Sequence, residues 1–165
     1  MAHVSHDELF IRHVRTNERM QRRLSQQSDK HGRPITKIVA VLDLKDLPYF
    51  PSSDALKIMR RNITCDEAYY AEGLKTLVII NAPVYFTAIW AIIKPWLDPI
   101  TLKKIRICGS SFLDVLQSVI PIENIPVEYG GTKNDFSWTY PECFEASHGV
   151  ILSSATIADV PIEPS

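Results

Sequence analysis

The chain has 165 residues, 45% of them hydrophobic, with 18 Lys and Arg against 19 Asp and Glu. That length fits one domain with a core of its own, and the composition excludes a disordered chain. A formal charge of −1 supplies no overall field for nucleic acid, so no nucleic-acid partner is expected.

Ser5 with Glu8 three residues later is a capping-box pattern, and helix-permissive sequence runs from there to about Ser28. Phe10 with Val14 and Met20 with Leu24 give that helix a narrow apolar stripe, while Arg12, Arg15, Arg19, Arg22 and Arg23 crowd the rest. It reads as a solvated helix, or as a basic surface that meets phosphates. Gly32 and Pro34 break it, and residues 35–42 read as a buried strand rich in β-branched side chains. After Asp43-Leu44-Lys45-Asp46 and two prolines, Ser53 is placed to cap a helix over residues 54–64. A second strand, residues 76–81, stops at Ala82-Pro83. The most apolar helical stretch follows at residues 85–96, where Phe86, Ile89, Trp90, Ile93 and Trp96 recur at three and four residues. Asp98-Pro99 opens a turn, residues 104–108 form a third strand, and residues 111–119 a short helix. Strands alternating with helices at crossover spacing predict an α/β fold, a mostly parallel β-sheet flanked by helices. Beyond Gly130-Gly131 the chain carries Phe136, Trp138, Tyr140 and Phe144 but little period.

The near-zero charge hides a gradient. Residues 1–61 hold 12 Lys and Arg against 7 Asp and Glu, and residues 122–165 hold 1 against 7. An anionic partner should therefore meet the N-terminal third. Three cysteines without metal-type spacing indicate neither a disulfide framework nor a zinc site, and no apolar run is long enough to span a membrane. A cytoplasmic setting fits the cysteine usage. Catalytic patterns are missing: there is no phosphate-binding glycine loop, and Gly109-Ser110-Ser111, although it sits between a strand and a helix, lacks the second glycine of a nucleophile elbow. No enzyme, metal or cofactor is expected.

The residues then become recognisable. Tyr70-Ala71-Glu72-Gly73-Leu74-Lys75, the strand up to Asn81-Ala82-Pro83, Lys94-Pro95-Trp96-Leu97-Asp98-Pro99, Lys104-Ile105 and Gly109 together resemble the CRAL-TRIO lipid-binding domain. Glu123-Asn124-Ile125-Pro126 and Tyr129-Gly130-Gly131 extend the resemblance to the family's terminal Gly-Gly. Upstream, Thr16, Glu18-Arg19-Met20 and Leu42-Asp43-Leu44-Lys45 are similar to the branch containing phosphatidylinositol transfer proteins.

The resemblance implies a domain over residues 1–131, without the family's N-terminal helical region, and a C-terminal extension over 132–165. It implies a pocket floored by the sheet and closed by a hinged gate helix, lined by Ile38, Ala40, Phe86, Ile89, Trp90, Ile93 and Trp96. It carries two headgroup contacts over onto Glu72 and Lys104. Members of the family that also exchange phosphatidylcholine have hydroxyl residues where this chain has Ile38 and Ala40, so phosphatidylinositol is the implied ligand. The implied function is binding one phospholipid and exchanging it at a membrane touched transiently. The alternatives are a protein-binding scaffold with an unknown partner, or a carrier of a sterol, tocopherol or retinoid.

Overall fold

A computed structural model describes residues 5–134. The expected C-terminal extension therefore lies outside the described residues from position 135 onward. The architecture is a three-stranded parallel sheet with helices on both faces, in the order α1 (His6–His31), β1 (Ile38–Asp43), α2 (Ser53–Tyr69), β2 (Leu74–Ile80), α3 (Phe86–Ile93), α4 (Pro99–Lys103), β3 (Ile105–Ile107), α5 (Leu113–Gln117). Single 3-10 turns fill Ala71–Gly73, Lys94–Trp96, Ile122–Asn124 and Val127–Tyr129. The strands lie in the order β1-β2-β3. Each crossover carries a helix, as a parallel pair requires.

Local chemistry moved several boundaries. α1 begins as expected, with the Glu8 amide donating to the Ser5 hydroxyl at 3.2 Å, and the Glu8 carboxylate accepts from Arg12 one turn on at 3.0 Å. The helix continues past Ser28 to His31, where Gly32 adopts a left-handed φ of 62° as its C-cap. β1 starts at Ile38, not Ile35. The Ile35 amide donates to the Ser28 hydroxyl at 2.8 Å, so it is not available to a ladder. Ser52, and not Ser53, caps α2 by accepting from Ala55, and the helix runs five residues beyond the expected Thr64. The apolar helix ends at Ile93. Pro95 has no N–H, and the chain tightens there into a 3-10 turn.

The sheet separates two apolar clusters. On one face Val39, Val78 and Ile80 pack with Leu116, Ile120 and Ile125 from α5 and the segment after it. On the other, Leu44 and Ile79 pack with Phe86, Ile89 and Ile93 of α3, with Met59 and Ile63 of α2 beside them. α1 lies outside, on α2. Arg61 donates to Asp7 at 2.6 Å and stacks on Phe10, while Asp66 accepts from Asn17 at 2.7 Å and pairs with His13 at 2.7 Å. Arg15, Arg19, Arg22 and Arg23 remain on the exposed side.

The carboxyl ends of the strands are tied together by Asp43. Its carboxylate accepts from the Lys45 amide and the Asn81 side chain, both at 2.8 Å, and from the Tyr129 hydroxyl at 3.1 Å. Burial, with the Asp43 charge beside it, pushes the Tyr129 phenol well above its ordinary value, so the hydroxyl stays the donor at neutral pH. Tyr129→Phe keeps the ring against Phe112, 6.0 Å away and edge-on, and removes only that donor. The expected result is a loss of about 1–2 kcal/mol. Urea denaturation reads it as a lower midpoint with an unchanged slope.

Candidate functional site

Parallel strands put their amino ends together, and the two charged candidates lie at that end. Glu72 sits in the 3-10 turn that leads into β2 and is exposed. Lys104, half-buried, closes α4 immediately before β3, and its carbonyl accepts from the Leu77 amide of β2 at 2.9 Å. Ile38 opens β1 at the same end, opposite Leu74, and a one-residue register irregularity follows between Ile38 and Val39. Side chains alternate along a strand, so Ile38 and Ala40 share a side with Leu42, and Ala40 lies opposite Leu77.

That side is the one α3 covers. Phe86, Ile89 and Ile93 are buried against it, and Trp90 and Trp96 are half-buried at its margin, Trp90 6.2 Å from Phe86 between ring centres. The Arg60 guanidinium lies 5.8 Å over the Trp96 ring. The seven apolar candidates thus lie on one sheet face, on the helix that covers it and, for Trp96, in the turn that follows, with the two charged ones at one end of the strands. Phe86, Ile89 and Ile93 point inward, so the side chains that α3 turns to solvent are Thr87, Ala88, Ala91 and Ile92.

A cavity of about 410 Å³ lies elsewhere, along α1, lined by residues including Ser5, Glu8, Arg12, Arg15 and Arg19. None of the nine predicted site residues borders it. Among the described residues no group of three His, Cys, Asp or Glu side chains could hold a metal ion. No described helix is long and apolar enough to cross a membrane.

Sequence reasoning missed Asp43 as a structural centre. Its partners Asn81 and Tyr129 stand 38 and 86 residues away, and no spacing rule joins them. It also missed the loop contact beside α3, where the Tyr85 hydroxyl donates to the Leu47 carbonyl and the Tyr49 ring packs on Tyr85 at 5.0 Å. The only available signal was compositional, an aromatic pair set between Pro48 and Pro51.

The chain is similar to known proteins over much of its length. Residues 2–131 match the CRAL/TRIO domain family. The SEC14 cytosolic factor of Eremothecium gossypii is 38% identical over 113 residues, 68% of this chain and 34% of that protein. The SEC14 cytosolic factor of Kluyveromyces lactis is 34% identical over 131 residues, 79% of this chain and 41% of that protein. This chain therefore spans about a third to two fifths of the length of these relatives. The crystal structure of Sfh5 superposes with a TM-score of 0.55 at 22% identity, covering 74% of this chain and 40% of that one, a likeness of fold.

Proposed function

The chain belongs to the CRAL/TRIO domain family, and from that premise we propose that it binds one phospholipid, phosphatidylinositol by preference, and exchanges it at membrane surfaces from the cytoplasm. The observation that carries this reading is an apolar sheet face packed under α3, with Lys104 and Glu72 at the amino end of the strands.

The physical task is a large one. Passing a two-chain lipid through water exposes on the order of 30 methylenes at roughly 0.8 kcal/mol each, about 24 kcal/mol. An apolar face offsets that exposure without any covalent step. The Lys104 ammonium would pair with the lipid phosphate, and the Glu72 carboxylate would accept hydrogen bonds from inositol hydroxyls. Ile38 and Ala40 have no group to donate to a choline-lipid phosphate, which favours the inositol headgroup. α3 occupies the acyl-chain side of the sheet in this conformation, so entry of lipid requires it to swing out as a gate.

Incubating the purified chain with vesicles of phosphatidylcholine carrying labelled phosphatidylinositol, then re-isolating it, tests the proposal. The expected result is one bound lipid per chain, with phosphatidylinositol enriched about tenfold over its share of the vesicle, a preference of about 1.4 kcal/mol. Protein that emerges empty from cells and takes up neither lipid overturns the reading.

A further inference from the structure

α1 is packed on one side only. Phe10, His13 and Asn17 turn toward α2, and the residues at 11, 15, 19 and 22 recur at three and four positions along the opposite side. Ile11 on that side is 48% exposed, and Arg15, Arg19, Arg22 and Arg23 are exposed with it, while Arg12 is half-buried. From Arg12 to Arg23 the guanidinium groups follow about 16 Å of helix, at 1.5 Å per residue. The cavity of about 410 Å³ runs along the same side and borders Ile11, Arg12, Arg15 and Arg19. The charge there comes from arginine alone, because the only lysine of α1 is Lys30 in its last turn.

The use of arginine says what an occupant must offer. A guanidinium takes a carboxylate through a fork of two N–H groups and also stacks on an aromatic ring, which suits an ammonium less well. The molecule already makes both contacts on the other side of this helix, where Arg61 of α2 donates to Asp7 at 2.6 Å and its guanidinium lies 4.0 Å from the centre of the Phe10 ring. A stretch with the same two chemistries stands in this chain. Residues 135–145 hold Asp135, Glu142 and Glu145 together with four aromatic residues, and no Lys or Arg. They follow Asn134, the last described residue. Being tethered, they meet α1 as an intramolecular partner, at an effective concentration on the order of millimolar. A lipid leaflet offers phosphates but no rings to stack on, and so uses half of what the face provides.

We propose that the outward side of α1 is a docking surface for the acidic, aromatic segment 135–145 of the same chain, which sets its carboxylates on the arginines and its rings over them and over Ile11. This goes beyond the lipid-carrier reading and does not depend on it. The charge gradient along the chain, 12 Lys and Arg against 7 Asp and Glu in residues 1–61 and 1 against 7 in residues 122–165, then becomes two halves of one contact. While the segment lies there the arginines are engaged, and any other anion must displace it.

Disulfide trapping in the full chain tests the proposal, since Cys143 already stands inside the segment. Ile11→Cys places a thiol on the outward side of α1, and Lys57→Cys places one at an exposed position of α2 as the reference. Matched thermal melts confirm that both variants fold. Each rate of linkage to Cys143, read by peptide mass, is divided by the rate at which a small uncharged disulfide modifies the same new thiol, which removes differences in thiol reactivity. The thiol at position 11 is expected to close onto Cys143 about tenfold faster than the one at position 57, and adding Glu142→Gln and Glu145→Gln is expected to remove most of that advantage. Equal rates at the two positions overturn the proposal, and so does an advantage at position 11 that neutralising both carboxylates leaves untouched. Linkage found only between two chains also overturns it and assigns the face to a second copy. If the rates are equal and flotation on vesicles of phosphatidylcholine and phosphatidylserine is lost in the double variant Arg15→Ala, Arg19→Ala, the face belongs to a leaflet and the proposal falls.

Discussion

Replacing Gly131 by alanine is expected to leave a chain that does not fold. A Cβ at this position would lie 2.0 Å from the Ile125 carbonyl oxygen and 2.5 Å from both the carbonyl carbon and Cβ of the same residue. Backbone cannot move aside as a side chain can. This backbone is also fixed on every side: Ile125 is 1% exposed in the core, its carbonyl accepts from Lys133 at 3.0 Å, and the Gly131 amide donates to Pro126 at 3.1 Å. The substitution should cost more than about 4 kcal/mol, a large part of the roughly 5–15 kcal/mol that holds a domain folded. Gly130→Ala is the internal control. There the φ of 84° strains an L-residue, but the near contact is the movable end of Leu113 at 3.1 Å, so a cost of about 1–2 kcal/mol is expected. Circular dichroism melts should rank wild type above Gly130→Ala, with no cooperative transition for Gly131→Ala.

Lys104→Ala is expected to reduce phosphatidylinositol uptake by about ten- to a hundredfold while leaving the chain folded. The two roles of Lys104 reside in different atoms. Its place in the sheet comes from the main-chain carbonyl that receives the Leu77 amide, and alanine keeps that carbonyl. The substitution removes the side chain beyond Cβ together with its ammonium, and a hydrogen bond to a charged group at a half-buried position contributes about 1.5–3 kcal/mol. Lys104→Arg keeps the charge but presents a planar fork in place of a compact ammonium, so partial uptake should survive. Glu72→Ala should fall between the two, since its position is exposed and water competes for the inositol hydroxyls. Uptake that is unchanged in Lys104→Ala would remove the headgroup assignment while leaving the apolar site untouched.

What could be read from the sequence was whatever repeats at short range. The three parallel strands, the basic first helix and the apolar third helix each carried their own period or run of β-branched residues, and each is present. Single hydrogen bonds decided the boundaries that slipped. Ser52 and Ser53 are equivalent as letters, and only the amide of Ala55 distinguishes them. α4 has five residues, too few to show a helical period, although Asp98 as N-cap with Pro99 behind it is a helix-start signal that was read as a turn. Strand alternation puts Ile38 and Ala40 on the face under α3 once the sheet order is known, and the parallel order puts Glu72 and Lys104 at the amino ends of β2 and β3. The Asp43 tie and the Tyr49 to Tyr85 contact depend on residues brought together by the fold alone.

The burial of α3 has a consequence for when a lipid held as proposed would be released. Lifting the helix off the sheet in water would uncover Phe86, Ile89 and Ile93, now 6%, 2% and 6% exposed. At about 1.5–3 kcal/mol for each side chain, the open form would be held to roughly one molecule in two thousand to one in four million. A bilayer that receives those same side chains cancels most of that difference. Timing would then need no separate signal: the latch is the solvent itself, and it is withdrawn wherever the domain meets a membrane.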